Sequence, residues 1–496
     1  MKTLLSNTKR IYGLLALAVI LISFNACDTK KNEKDDLNAT KVEYYKNMQS
    51  NVNGYMTKGF NQLNDEVVAK TDCFRFTYDA EGKLQELAFV IKGRLEDSYT
   101  YGFAKRVYAY TDSSITYYQC DKFGKKLPLS RVNGSATAFA KQIVMEDGLP
   151  AAERGLDFDD QPLNGFTEKR FECDSLGRII WESSVNNFGR KLDISRRDGI
   201  FYRRYTYTED NLLESTSFYE IKEKKRSLGG IHKVRYQYNE NGNIVKNSFL
   251  DEQDQMKPEP GTGIAYRMMK YNSMGNMLEQ SLYGTDDQLV VGASGYARQL
   301  NTFDQFSNNT SSTYFGADKK PVENKEIAAY REQLTYDDRG DLVLNEFFNS
   351  EKELINSAVL GYAYKAMEYN DMGLIVREAY YDNSNKPIIF KGLGAHAKIS
   401  AYSTKGELIQ TSFQNTDGEA FMHPACNCAS ITFTHDSLGN VVEESYMDMQ
   451  GLLTKEGRKN IAKRVYNYNR LGLMELTQYY DANGQEIVIQ GNQPKP

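Results

Sequence analysis

Histidine is scarce in this chain of 496 residues: four are present, at 232, 396, 423 and 435, which leaves little for general acid–base chemistry. No nucleophile elbow occurs. Gly261-Thr-Gly263 and Gly392-Leu-Gly394 are isolated and do not lie between a strand and a helix, so a phosphate-cradling loop is not expected. A basic excess is also missing. The formal charge is −5, and −8 without Lys2, Lys9 and Arg10, which argues against a nucleic-acid partner. Cys-x-Cys at Cys426 and Cys428, with His423 and His435 nearby, is tighter than usual zinc spacing. On an unbroken strand Cys428 and His435 would also point to opposite faces. No metal and no cofactor is expected; a loop disulfide or thiols fit that region better. Tryptophan is reduced to Trp181, whereas tyrosine reaches 35 residues. An apolar body with a polar tip suits a sheet whose faces are partly covered.

The longest apolar run near the start, Ile11 to Ile22, is too short to span a bilayer. With Lys2, Lys9 and Arg10 ahead of it and Ala26-Cys27 behind, it reads as a lipoprotein signal over residues 1–26, with Cys27 taking the lipid. An ordinary secretory peptide with an incidental cysteine is the alternative. Residues 27–40 are charged and almost free of apolar side chains, as in a flexible tether. Lys34-Asp35-Asp36 has the form of a surface-sorting signal, or of a solvated linker. The expected location is the outer membrane, surface-exposed or facing the periplasm. Five cysteines follow Cys27, an odd number that forbids complete pairing within one chain. Cys120 and Cys173 both precede Asp-x-x-Gly, which suggests a structural, half-buried role.

What the chain has in abundance is one phrase: an aromatic, three mostly polar residues and a small residue. It appears at Tyr238…Gly242, Tyr271…Gly275, Phe303…Ser307, Tyr336…Gly340, Tyr369…Gly373, Tyr402…Gly406, His435…Gly439 and Tyr468…Gly472. From Tyr271 the steps are 32 once and then 33. A fixed period in this range means units that bury their apolar faces against their neighbours. Each unit reads as a hairpin closed by the small residue, a second polar turn and a bend. Gly340, Gly373 and Gly472 are expected at positive φ. Ser307 in the same slot predicts a different loop, with Asn308 or Asn309 in the left-handed conformation.

Counted from the turn glycine, position +3 is apolar and position +7 is mostly aromatic. Position +5 is Asn247, Gln280, Asn345, Glu378, Thr411 and Glu444. Side chains alternate along a strand, so these columns share one face. The polar column is either ordinary sheet filling or a ladder lining a ligand groove.

The stretch Tyr369-Asn-Asp-Met-Gly373 through Pro387, with Tyr468-Asn-Arg-Leu-Gly472 and Tyr480-Asp-Ala-Asn-Gly484, resembles bacterial Tyr-Asp-x-x-Gly hairpin repeats. These include the repeats of rearrangement-hotspot proteins and those of the membrane-occupation-and-recognition-nexus type. The resemblance implies β-hairpins and, in the rearrangement-hotspot case, strands wound into a shell around a toxin. No toxin domain is recognisable here.

The expected fold is all-β: an elongated, twisted antiparallel β-sheet repeat array with a short N-terminal helical segment. The expected map is a helical segment at 41–70, an irregular β-repeat region at 71–206, regular 33-residue hairpin repeats at 207–490 and a polar tail at 491–496. The expected role is non-enzymatic, presenting an extended β surface to a protein or glycan partner. The alternatives are a glycan-active envelope enzyme with carboxylates in 111–205 and a scaffold subunit of a membrane assembly or secretion complex.

Overall fold

The computed structural model describes residues 41–487, apart from 133–135, 164–167, 187, 196–197 and 457–459. The signal peptide, Cys27, the tether with Lys34-Asp35-Asp36 and the polar tail lie outside the described residues. Two compact units are present. The first takes the chain up to Leu63 together with Asp72–Ile194; the second takes Asn64–Thr71 and the chain from Ser195 onward. Both are antiparallel β.

In the first unit Lys41–Ser50 is a strand, paired with Thr57–Gln62 and with Asp72–Tyr78. The helical segment expected over 41–70 is therefore confined to one turn, Asp65–Val68. Asn64 caps it, its Oδ1 accepting from the Val67 N–H at 3.0 Å. The polar composition of 41–50 suggested a helix. Pairing on both edges decides for strand, because β-propensity depends on the neighbours a residue meets. From Asp72 the chain runs as a meander. Leu84–Ile91, Lys105–Thr111, Ser114–Cys120, Ala140–Glu146, Leu149–Leu156, Glu168–Cys173 and Ile179–Val185 each pair with the strand before.

The second unit carries the regular repeat. In one period Tyr364–Tyr369 and Ile375–Tyr381 form the hairpin, and Ala397–Tyr402 opens the next. Within the hairpin Lys365 faces Tyr380; between hairpins Glu378 faces Lys398. Each hairpin therefore slips two residues against its predecessor, the same stagger at every step. The first turn is held by a side chain: Asp337 Oδ1 accepts from the N–H groups of Arg339 and Asp341 at 2.9 and 2.8 Å. Asp382 does the same in the second turn for Ser384 and Lys386. Asp and Asn favour such turns because a short carboxyl or amide reaches its own backbone two residues on.

Gly340, Gly373 and Gly472 have φ of 78°, 67° and 67°, as expected of the turn. Ser307 also takes the left-handed conformation, with φ of 70°, and its loop has the same hydrogen bonds as the others. The different loop expected there does not form. Ser307 is buried, and its hydroxyl accepts from Asn276 Nδ2 at 2.9 Å, a bond to the preceding repeat that offsets the backbone cost.

Phe347 and Tyr380, both at +7, share a core with Ala329 and Tyr362, covered by Ile355, Ile388 and Phe390 from the turn-and-bend segments. Ten residues before the turn glycine, Ala265, Ala297, Ala363 and Ala462 are fully buried. His232 and His396 fill the same slot in two repeats and are also buried.

Candidate functional site

The tyrosine that marks the repeat is used by the scaffold. The hydroxyls of Tyr369, Tyr402 and Tyr468 donate to the carbonyls of Leu342, Ile375 and Val441 in the preceding repeat, at 2.9, 3.0 and 2.8 Å. Phe303 has no hydroxyl. There Asn301, two residues earlier, donates from Nδ2 to the equivalent carbonyl, that of Met277, at 2.8 Å. A different side chain restores the lost bond.

The +5 ladder is placed one residue per hairpin, and its members have different partners. Glu444 is the most tightly held: Oε1 accepts from Arg464 at 2.8 Å and from the Tyr446 hydroxyl, and Oε2 accepts from Tyr466 at 2.6 Å. Burial, and then the Glu444 carboxylate, push the Tyr466 phenol well above its ordinary range. Glu378 accepts from Tyr380 and lies 3.8 Å from Lys365. Asn345 donates to Glu332 at 2.9 Å and leaves its buried Oδ1 without a partner, as does Asn247. Gln280 faces Met269 and Gln299 across the ladder, and Thr411, buried, faces Ser400 and Ile431.

The neighbouring column, eight residues before the turn glycine, changes chemistry from repeat to repeat: Arg267, Gln299, Glu332, Lys365, Lys398, Ile431. Where it is arginine, a glutamate eight residues earlier meets it. Arg267 pairs with Glu259, and Arg464 with Glu456 at 2.5 Å. Each guanidinium also lies over the +7 ring of the preceding repeat, Phe249 or Tyr446, at 5.0 and 5.1 Å.

Sequence reading missed a buried charge cluster in the first unit. Glu153 and Glu182 are 3% and 1% exposed, and Lys169 Nζ reaches them at 3.7 and 3.6 Å. Lys141 adds a closer contact to Glu153 at 3.0 Å. The segment between Ser50 and Thr57 lies against this group. Tyr117 donates to the Asn53 carbonyl, Arg106 to the Gly54 carbonyl and Lys169 to Asn53 Oδ1, at 3.2, 2.6 and 3.0 Å. Glu153 Oε2 is buried without a hydrogen-bond partner, so the two lysines carry the offset for this charge, which left alone would cost several kcal/mol (about 3–5). The only sequence signal was a charged residue at an inward strand position.

Cys426 and Cys428 form a disulfide. Cys73, Cys120 and Cys173 are thiols, and burial pushes those of Cys73 and Cys173 up to about 12 and about 11. Among the described residues no three His, Cys, Asp or Glu side chains converge on a metal-sized site, and no helix is long and apolar enough to cross a membrane.

Fold and site together define a β-hairpin repeat protein, in which side chains from one repeat tie down the backbone of the last. No family model and no curated protein matches the chain. Among solved structures, it overlaps a TcdB2-TccC3-TEV chain over 82% of its own length and 19% of that chain, at 13% identity and a TM-score of 0.38. The Photorhabdus luminescens Tc holotoxin pore gives 91% and 23% coverage, 13% identity and 0.26. A porin-like protein from Bacteroides uniformis gives 55% and 86%, 8% identity and 0.20. The chain thus spans about a fifth of the toxin chains' length.

Proposed function

We propose that this protein is a non-enzymatic cell-envelope repeat protein of the Tyr-Asp-x-x-Gly type, lipid-anchored at Cys27, that presents its β array to a protein or glycan partner. One observation carries the reading. The repeated tyrosine, Asx and glycine positions hold the hairpins together, while the column from Arg267 to Arg464 varies in charge and polarity at a fixed place in each hairpin. A recurring frame that carries side chains of different charge at a fixed place in each unit gives the extended face of a repeat array a patterned surface for a partner. The acidic balance of the chain supports a partner other than nucleic acid. Outer-membrane location, with surface display through Lys34-Asp35-Asp36, belongs to the same proposal and rests on the N-terminal sequence alone.

The test is photocrosslinking on intact cells from positions 299, 365 and 398, followed by identification of what is captured. Capture from these positions but not from the opposite face supports the reading; equal capture from both faces removes it. For the anchor, Cys27→Ser should shift the protein out of the membrane fraction. Retention there would defeat the lipid assignment. The glycan-active alternative has Glu153 and Glu182 as its support, two buried carboxylates bridged by Lys169, with Lys141 also on Glu153. Turnover of envelope glycan by the purified protein, lost in Glu182→Gln, would favour it.

A further inference from the structure

The bend of each repeat brings two inward positions together, thirteen and eleven residues before the next turn glycine. They are Ile327 and Ala329, Leu360 and Tyr362, Leu393 and Ala395, and then Cys426 and Cys428. The residue between them has positive φ in every case: Ala328, Gly361, Gly394 and Asn427. The backbone closes in the same way with or without sulfur. The His423 N–H donates to the Cys428 carbonyl at 2.7 Å, as the Phe390 N–H does to that of Ala395 at 2.9 Å. The Asn427 N–H donates to the His423 carbonyl at 2.7 Å, as the Gly394 N–H does to that of Phe390. Three neighbouring repeats therefore make this bend without a disulfide. A cross-link closing so short a loop also constrains the unfolded chain least, so it adds little to stability. The pair is not needed to fold the repeat.

A second feature distinguishes this bend. His423 Nε2 lies 2.5 Å from the Leu393 carbonyl oxygen, which only accepts, so Nε2 carries the hydrogen. Nδ1 accepts from the Ala425 N–H at 3.3 Å and lies 3.8 Å from Cys426 Sγ. The nitrogen presenting its lone pair is the one beside the sulfur. Cys426 is also the more exposed of the two, at 9% against 0% for Cys428, and it adjoins exposed Asn427.

We propose that Cys426 and Cys428 form a thiol–disulfide exchange site, with His423 as its proton acceptor and small or protein-borne thiols as its substrates. An incoming thiolate attacks Cys426 Sγ. The bond between the two cysteines breaks, and Cys428 leaves with the electron pair and takes up the proton that the incoming thiol released. A second thiol gives its proton to His423 Nδ1 and attacks the substrate sulfur of the mixed disulfide, which releases the oxidised substrate as a disulfide and Cys426 as a thiolate that takes the proton back from His423. Two substrate thiols are oxidised and one protein disulfide is reduced. Reoxidation by a substrate disulfide runs the steps in reverse, starting with transfer of the Cys426 proton to His423 Nδ1.

The folded protein is equilibrated with mixtures of reduced and oxidised glutathione, alkylated before unfolding and mapped by peptide mass. Cys426 should become labelled as the mixture becomes more reducing, while Cys428 and Cys73, at 0% and 1% exposure, take label only after unfolding. Cys428→Ser should accumulate glutathione on Cys426, and His423→Gln should slow reoxidation about tenfold or more without moving the equilibrium midpoint. The pair Cys426→Leu with Cys428→Ala installs the side chains of the preceding repeat and should melt within about 3 °C of the parent. Labelling of Cys426 only after unfolding, or a Cys428→Ser variant free of glutathione, overturns the proposal. Loss of the fold in the Leu/Ala variant makes the disulfide a structural staple and also overturns it.

Discussion

At Tyr369, Tyr402 and Tyr468 a single hydroxyl ties the repeat to a backbone carbonyl of the one before. Tyr369→Phe removes the bond to the Leu342 carbonyl and leaves that acceptor to find water, so it should cost about 1 kcal/mol in a denaturant melt. The Phe303 ring has no hydroxyl to lose, and the equivalent cost falls on Asn301→Ala, which breaks the bond to the Met277 carbonyl. An Asn301→Ala variant as stable as the parent would show that the amide does not substitute for the hydroxyl. The turn glycines differ in a way their shared φ conceals. A residue with a Cβ in the left-handed region pays roughly 1–2 kcal/mol in backbone strain. At Gly406 the added carbon would meet only Leu374, at 3.5 Å, whereas at Gly340 it would fall 2.3 Å from the Lys70 carbonyl oxygen. Gly340→Ala should therefore be the more destabilising of the two, by thermal melting. Equal losses would mean that the Lys70 contact yields without cost.

At the scale of the hairpin, charge pairing between adjacent strands gives a pH signature. Glu279 is bonded by Arg298 at 3.0 Å and by Lys270 at 2.9 Å, with the Ser281 hydroxyl also donating. Burial pushes its carboxyl upward, but these bonds outweigh it and bring the group from the usual 4.5 to about 2. A depressed folded-state value means that the unfolded chain takes up the proton first as pH falls. The stabilisation is therefore complete above about 4.5 and is lost on the way down to about 2. In Glu279→Gln the melting temperature should change less over that interval than in the parent; parallel profiles would show that solvent screens the pair. Hairpins were also the scale at which the sequence was most legible. Tyr, Asp and Gly recur because each has a local task, and local tasks leave a period. What left no period was not read. Lys41–Ser50 is a strand because of partners on both sides, and Asn301 mattered only because Phe303 lacks an oxygen. The +5 column recurs once per hairpin, and some of its members have partners of their own, Glu444 with Arg464 and Asn345 with Glu332. Glu153 and Glu182 meet Lys169 through contacts distant in sequence, which composition and spacing do not encode.

Across the second unit, each hairpin pairs only with its neighbours, so stability should fall in steps as hairpins are removed. The strands show where the clean step lies. The last regular hairpin is Lys463–Tyr468 with Met474–Tyr480, and it follows the segment in which the Thr454 N–H donates to the Tyr446 carbonyl. A chain ending at Thr454 keeps that bond and loses one hairpin whole. A chain ending at Glu444 is only ten residues shorter but cuts the strand Val441–Met447. It takes away the partners of Thr432, Ile431 and Ser430, and it removes buried Tyr446 from the core shared by Phe413, Cys426 and Cys428. The first truncation should melt cooperatively a few degrees below the full chain, by about 2–4 °C per kcal/mol lost if the unit behaves like a domain of 150–250 residues. The second should lose considerably more and expose the apolar bend to dye binding. If the two truncations melt alike, the hairpin is not the unit of stability, and the array folds as one closed core.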